Sequence, residues 1–277
     1  MLNNFECPIM LKNIIIPVDF SEQAENALLF AAEIAKRVSC PLIILHANPN
    51  QKAPSLEEQK MKYLETKLKN SFGSDFQCHS IFAPFDLIHA LKSQIGTRNT
   101  SLIVMGTKGA SGLKRILIGS NTVRVISEVK AHVLVIPESA KFEDFNRTGK
   151  DRVILATDLE ETENKDAFDF LSGILQLMVN PKLRILNVRP KNTKLKPSKQ
   201  LQRSSLLYNF KKELETEGIT VFSNNVLDGI NFYLDKHSDT GLVVMISRDS
   251  GGLFQRHFTR EMASITHNPL LLLNDRD

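Results

Sequence analysis

The stretch that decides the fold is SLIVMGTKGASGLKRILIGSNTVRVISEVKAHVLVIP, residues 101–137. It begins with an apolar run, Leu102–Met105, and continues through a basic, glycine-bearing segment to Gly119-Ser120. Apolar residues at helical spacing follow, and a second apolar run, Val133–Ile136, closes the stretch. This order predicts a strand, a glycine-rich loop, a helix and a strand. In a parallel sheet such a loop lies at the carboxyl end of its strand, where ligands bind.

The glycine spacing favours phosphate binding. Gly106 and Gly109 are separated by two residues, and nine residues separate Gly109 from the Gly119-Ser120 pair. A Gly-Ser pair before a helix suits a phosphate, because the approach is open and N–H groups point outward. The dinucleotide pattern G-x-G-x-x-G and the P-loop are both absent. The spacing resembles that of the ATP-binding universal stress proteins. The alternative is that the glycines only form turns of an α/β fold.

Length and composition indicate two ordinary globular domains. A chain of 277 residues is long enough for two domains of roughly 140 residues. Hydrophobic residues make up 42% and charged residues 24%. The net charge of +4 is too small to argue for nucleic-acid binding by itself.

The cysteines and the first residues predict a cytoplasmic protein. Cys7, Cys40 and Cys78 are odd in number and lack metal-ligand spacing, which is typical of a reduced compartment. The first residues, MLNNFECPIM, lack the basic start and apolar core of a signal peptide. No apolar run approaches the length of a membrane span. We therefore expect no membrane association and no metal site.

The first half reads as five strands separated by four helices or helical connections. Asn13–Val18 is a buried-strand pattern with Asp19 at its carboxyl end, and Ser21 can cap the helix that follows. Pro41 ends that helix. Right-handed crossovers between parallel strands then give a doubly wound sheet. The family resemblance implies the adenine nucleotide alpha-hydrolase-like strand order 3-2-1-4-5.

The second half repeats the first. Arg152–Asp158, RVILATD, matches Asn13–Asp19, NIIIPVD, across a distance typical of a duplicated domain. We predict a first domain at 1–140, a linker at 141–147 and a second domain at 148–277. Within the second domain we expect a basic loop at 190–205, a helix at 205–217 and a strand at 219–226. The resemblance therefore extends over almost the whole chain, as a tandem universal stress protein.

The glycine motif is lost in the second half. Alignment of Val244-Met245 with Val104-Met105 puts Ile246, Asp249, Thr259 and Arg260 at the four motif positions. Asp249 would repel a phosphate, although Arg260 could oppose it. We expect a degenerate domain without a nucleotide.

The resemblance implies an ATP site in the first half, with Mg²⁺ as an optional companion. Asp19 would lie beside the nucleoside, and the main chain around Ala47 would lie against the adenine. The alternative for Asp19 is a helix-start group. ADP and AMP remain alternatives to ATP. The expected binding residues are Pro17, Val18, Asp19, Ala47, Met105, Gly106, Gly109, Gly119, Ser120, Asn121 and Thr122.

Other charged residues have simpler explanations. Lys108, Lys114 and Arg115 could screen phosphate charge, but solvated loop charges are the commoner case. The acidic residues after Asp158 fit the first turn of a helix better than a metal site. The basic segment Lys191–Arg203 lacks aromatic residues for stacking on bases, so we expect no nucleic-acid partner.

We expect an ATP-binding stress-response module in which the nucleotide acts as a structural effector that orders the loop 107–118. The rival functions are a slow ATP hydrolase, for which no catalytic residue is evident beyond Asp19, and a ligand-free interaction scaffold. The resemblance implies that two such domains pair through their last strands, Val133–Ile136 and Leu270–Leu273, within one chain or in a homodimer.

Overall fold

The computed structural model describes residues 11–49, 56–95, 101–109, 116–117, 119–146, 149–162, 166–248 and 268–275. In the first half the strands are β1 (Asn13–Pro17), β2 (Leu42–Ala47), β3 (Cys78–Ala83), β4 (Ser101–Gly109), β5 (Ile116–Leu117) and β6 (His132–Pro137). The helices are α1 (Glu22–Val38), α2 (Leu56–Phe72), α3 (Leu87–Gln94) and α4 (Ser120–Glu128).

The second half repeats this alternation of strands and helices. Its strands are β7 (Arg152–Ala156), β8 (Lys182–Arg189), β9 (Thr216–Phe222), β10 (Thr240–Ser247) and β11 (Leu270–Asn274). Its described helices are α5 (Asp166–Leu175), α6 (Pro197–Lys211) and α7 (Val226–Asp235). A short 3₁₀ helix, Phe142–Asn146, lies between the halves.

One continuous sheet runs through both halves in the order β3-β2-β1-β4-β6-β11-β10-β7-β8-β9. Within each half the neighbours pair in parallel, and each half has the order 3-2-1-4-5 when its own long strands are numbered. The predicted fold class, two tandem doubly wound five-stranded domains, is confirmed.

Helices cover both faces of the sheet. Alternate residues of the strands point to opposite faces, so Ile14 and Ile16 belong to a different apolar core from Ile15. The first core contains residues of α1, α2, α5 and α6, and the second contains residues of α3, α4 and α7. Each buried strand therefore reads as a nearly unbroken apolar run.

The halves join where β6 pairs with β11 in an antiparallel ladder that places Leu134 opposite Leu271. At one end of this seam the His132 ring stacks on Phe170, with ring centroids 4.0 Å apart. The Asn274 backbone N–H donates to His132 Nδ1 at 3.1 Å. The seam is thus a buried sheet contact that includes one titratable side chain.

Three segments differ from the sequence-based expectation. β4 continues past Met105 to Gly109, because Lys108 and Gly109 pair antiparallel with Leu117 and Ile116. The basic loop predicted at 190–205 is shorter, because α6 begins at Pro197, where the fixed backbone angle of proline suits a first helical turn. The third strand of this half likewise begins earlier, at Thr216, and ends at Phe222.

The segment predicted as a linker packs on the first half. Phe142 is buried and meets Phe30 of α1 edge-on, with ring centroids 5.1 Å apart. The Arg37 guanidinium lies 4.9 Å from the centre of the Phe142 ring. The domain boundaries themselves remain predictions.

In the described part of the chain, no helix is suited to cross a membrane. None of the helices there combines the length and the apolar character that a membrane span requires.

His132 makes the seam sensitive to acid. Burial lowers the His132 pKa from 6.5 to about 4, so the unfolded chain binds more protons than the folded chain between these values. The contribution of His132 to the free energy of unfolding is therefore fully present above pH 6.5, and it is lost as the pH drops from 6.5 to about 4. The loss by pH 4 should be about 3 kcal/mol.

The control variant is His132→Gln, which retains an acceptor for the Asn274 N–H and does not titrate. Urea unfolding of both proteins between pH 7 and pH 4 measures the effect. The gap in unfolding free energy between wild type and variant should change by about 3 kcal/mol across the window. Parallel pH profiles would contradict the account.

Candidate functional site

A cavity of about 530 Å³ opens at the carboxyl ends of β1, β2 and β4, beside the starts of α1 and α4. Small-molecule sites typically measure roughly 300–1,000 Å³. The carboxyl edge of a parallel sheet is also where doubly wound folds bind ligands. Size and position both suit a small-molecule site.

The cavity brings together ten of the eleven predicted site residues. Three follow one another at the end of β1, one ends β2, two lie on β4 and four begin α4: Pro17, Val18, Asp19, Ala47, Met105, Gly106, Gly119, Ser120, Asn121 and Thr122. The eleventh, Gly109, is the last residue of β4 and pairs with Ile116.

Asp19 is exposed at the cavity and belongs to the turn that starts α1. Its Oδ1 accepts from the Ser21 backbone N–H at 3.0 Å and from the Ser21 hydroxyl at 2.5 Å. Ser21 in turn caps α1, because its Oγ accepts from the Ala24 N–H at 3.2 Å. The helix-start role considered for Asp19 and its place at the cavity therefore coexist.

Gly106 is required by close packing. A Cβ at this position would lie 2.4 Å from the Gln23 carbonyl oxygen and 2.8 Å from its carbonyl carbon. These are backbone atoms that cannot rotate away. Glycine at 106 therefore lets the first turn of α1 approach β4.

Gly119 serves the cavity. It is the N-cap of α4 with ordinary extended angles, φ −64° and ψ 155°. Among the described residues, a Cβ here would meet nothing within 4 Å, so their packing does not demand glycine. Gly119 and the first three residues of α4, Ser120, Asn121 and Thr122, line the cavity. A helix N-terminus of this kind carries partial positive charge and attracts anions.

Sequence reasoning missed several residues that line the cavity, of which His46 is the most polar. It lies in β2, and its Nδ1 is 2.8 Å from the Val18 carbonyl oxygen. The others are Ser21, Gln23, Ala24, Leu45 and Leu87. A histidine next to Ala47 at the end of a buried strand was the available signal.

The other charged residues considered from the sequence either fall outside the described residues or already form contacts within the chain. Lys114 and Arg115 fall outside the described residues, and so does the side chain of Lys108. In the basic segment, Lys199 forms an ion pair with Glu160 at 2.7 Å, and Arg203 donates to the Gly218 carbonyl at 2.8 Å. In the described ranges, no group of three or more potential metal-binding side chains occurs.

The second half differs at the counterpart position. Ile246 stands where β4 has Gly106, and its side chain is buried in the core. In this half the described residues 159–162 are not helical, whereas α1 begins three residues after Asp19. A branched side chain at 246 cannot admit a helix turn as close as Gln23. Asp249, Thr259 and Arg260 lie outside the described residues.

In the second half, Arg248 lies between two buried aspartates, one of which corresponds to Asp19. Its guanidinium lies 2.7 Å from Asp158 Oδ1 and 2.8 Å from Asp275 Oδ2. It also donates to the Glu160 carbonyl at 3.1 Å. Burial alone would lower the Arg248 pKa, but the two carboxylates outweigh it and raise the pKa. The aspartate that matches Asp19 is therefore neutralised from within the chain.

The universal stress protein family model matches residues 10–71 and 92–137, which include every residue that lines the cavity except Leu87. The first half of this chain is therefore similar to the universal stress proteins. The universal stress protein YxiE of Bacillus subtilis is 23% identical over 147 residues, or 46% of this chain and 99% of the relative. A putative universal stress protein of Staphylococcus aureus strain USA300 is 26% identical over 148 residues, 46% of this chain and 85% of the relative.

Solved structures extend the shared fold to both halves. A universal stress protein from Archaeoglobus fulgidus superposes with a TM-score of 0.70 at 16% identity, covering 96% of this chain and 99% of that one. A putative universal stress protein from Pseudomonas aeruginosa gives 0.64 at 13% identity, with coverages of 96% and 94%. At these identities the likeness concerns the fold alone.

Removal of the Arg248 charge should destabilise the protein strongly. Arg248→Met leaves Asp158 and Asp275 buried without their cation, which should cost about 3–5 kcal/mol of unfolding free energy. The control is Arg124→Met in α4, where the pair with Glu128 at 3.3 Å is half exposed and worth about 1 kcal/mol or less. Urea denaturation at pH 7 measures both. Equal losses would show that Arg248 is not a buried charge partner.

Proposed function

We propose that the first half of this chain binds an adenine nucleotide, ATP, in the cavity between β1, β4 and α4. The observation that carries the proposal is the open N-terminus of α4 at Gly119, directed at a cavity of about 530 Å³. Anion-binding N–H groups and a nucleotide-sized space thus occur in one place.

The polar groups divide between the two ends of such a ligand. The first-turn N–H groups of α4 and the Ser120 hydroxyl suit the phosphates. Asp19 supplies a carboxylate that can accept from sugar hydroxyls. Mg²⁺, where it accompanies ATP, is bound largely by the phosphates and water.

The walls suit an aromatic base. Val18, Leu45, Leu87 and Met105 line the cavity with apolar surface, and Ala47 adds a small residue. A mostly apolar lining with a few convergent polar groups is typical of small-molecule sites.

The ligand would act as a structural effector in a stress-response protein, as the names of the relatives suggest. A ligand that binds only the folded state stabilises it by about 2.7 kcal/mol at a hundredfold excess over Kd. One nucleotide is expected per chain, because in the second half Ile246 replaces Gly106 and Arg248 pairs with Asp158, the residue that matches Asp19.

Gly119→Val should abolish ATP binding while the fold persists. The added side chain enters open space within the cavity mouth, so it blocks the phosphates without a backbone clash. We expect ATP affinity at least about a hundredfold weaker, a loss of about 2.7 kcal/mol or more. The cost to stability should be about 1 kcal/mol, because valine is a poorer N-cap than glycine. Calorimetric titration and thermal unfolding measure the two effects.

The matched control is Ser127→Val, which places the same side chain on the exposed end of the same helix. It should retain wild-type affinity. Unchanged affinity in Gly119→Val would refute the site. Sustained phosphate release from ATP that disappears in Asp19→Asn would instead indicate hydrolysis.

A further inference from the structure

The turn that follows the first strand is built in the same way in both halves. The Val18 N–H donates to the Leu45 carbonyl at 2.9 Å, and the Thr157 N–H donates to the Leu186 carbonyl at 3.0 Å. Both turns thus begin as an extension of the sheet.

The same backbone conformation follows. Phe20 and Leu159 have positive φ angles of 62° and 61°. In the first half the aspartate accepts from the Ser21 N–H at 3.0 Å, and in the second half Asp158 accepts from the Glu160 N–H at 3.1 Å. A non-glycine residue in this conformation costs on the order of 1 kcal/mol and persists only where its surroundings hold it.

A side chain from the second strand holds each turn. Leu45 lies opposite Pro17 and Leu186 lies opposite Ala156, so the next residues, His46 and Asn187, are counterparts. His46 Nδ1 lies 2.8 Å from the Val18 carbonyl oxygen, and Asn187 Nδ2 donates to the Thr157 carbonyl at 3.0 Å. A carbonyl only accepts, so Nδ1 of His46 carries the proton.

The His46 ring is itself fixed in place. Its centroid lies 4.7 Å from that of Phe20 and 5.5 Å from that of Phe82. Its Nε2 lies 3.7 Å from Glu57 Oε2, and its side chain is only 12% exposed. A ring held on three sides offers Nδ1–H to the Val18 carbonyl in one orientation.

We propose that His46 is a positioning residue of the ligand site, whose Nδ1–H fixes the Val18 carbonyl and thereby the turn that presents Asp19 to the cavity. This inference rests on the proposed nucleotide function and deepens it. Asn187 performs the same task in the second half, where the presented carboxylate meets Arg248 in place of a ligand. The shared requirement is a side-chain N–H at this point of the second strand.

The first test needs no ligand. Amide hydrogen exchange at Ser21, whose N–H is bonded to Asp19, reports on the turn. In His46→Leu, which keeps the volume and removes the donor, exchange should accelerate up to about tenfold, the worth of one hydrogen bond. In His46→Asn, which copies the second half, exchange should return to near the wild-type rate. Unchanged exchange in His46→Leu, or no rescue by asparagine, overturns the positioning role.

The second test uses ATP and a double-mutant cycle. His46→Leu should weaken ATP binding by up to about tenfold and His46→Asn should restore it, while both variants unfold cooperatively. In an Asp19→Ala background, His46→Leu should have little further effect, because its influence passes through Asp19. Additive losses would mean that His46 acts on the ligand directly and would overturn the inference. Absence of ATP binding in the wild type would refute the proposed function, and the exchange experiment would still decide the role of His46 in the turn.

Discussion

The architecture of the site depends on the absence of a side chain at Gly106. The Gln23 carbonyl oxygen lies 2.4 Å from where a Cβ would be, so α1 begins against β4. Its first turn and the Asp19 turn before it then border the same cavity as α4. Where Ile246 replaces this glycine, the helix starts later and the aspartate is paired with an arginine. The residue at this position is thus one of the differences that separate the two halves.

The two halves share one sheet, and this gives the second half a structural role that does not require a ligand. Its last strand pairs with β6, which also lies beside β4 of the first half. The buried ion pairs of Arg248 and the stack of His132 on Phe170 lie on the second half and at the seam. The second half is stabilised by contacts within the chain, so it can support the first half without a ligand. The first half has an open cavity, in which a ligand would add contacts.

Much of the fold could be predicted from the sequence, because its signals are local. Unbroken apolar runs such as Asn13–Val18 mark buried parallel strands, and Ser21 and Pro41 mark the start and end of a helix. The match of RVILATD, residues 152–158, to NIIIPVD, residues 13–19, indicated where the second half begins. The strand order came from the family resemblance, since apolar runs alone do not specify which strands are neighbours.

The parts that escaped prediction depend on contacts between distant residues. The position of Arg248 between Asp158 and Asp275 joins residues far apart in the sequence, and no local pattern marks it. His46 showed no motif, because its partner is a backbone carbonyl. The extension of β4 to Gly109 depends on a short antiparallel partner that two residues cannot signal. The spacing of the glycines also could not show that they have different roles. Gly106 permits close packing of α1 on β4, and Gly119 leaves the start of α4 accessible at the cavity.

A crystal structure grown with excess ATP tests the central claim most directly. The account predicts one nucleotide per chain, with its phosphates at the first turn of α4 beside Gly119 and its nucleoside between Asp19 and Ala47. Arg248 should remain between Asp158 and Asp275. A nucleotide bound beside Asp158 in the second half, or a first-half cavity that stays empty at saturating ATP, would contradict it.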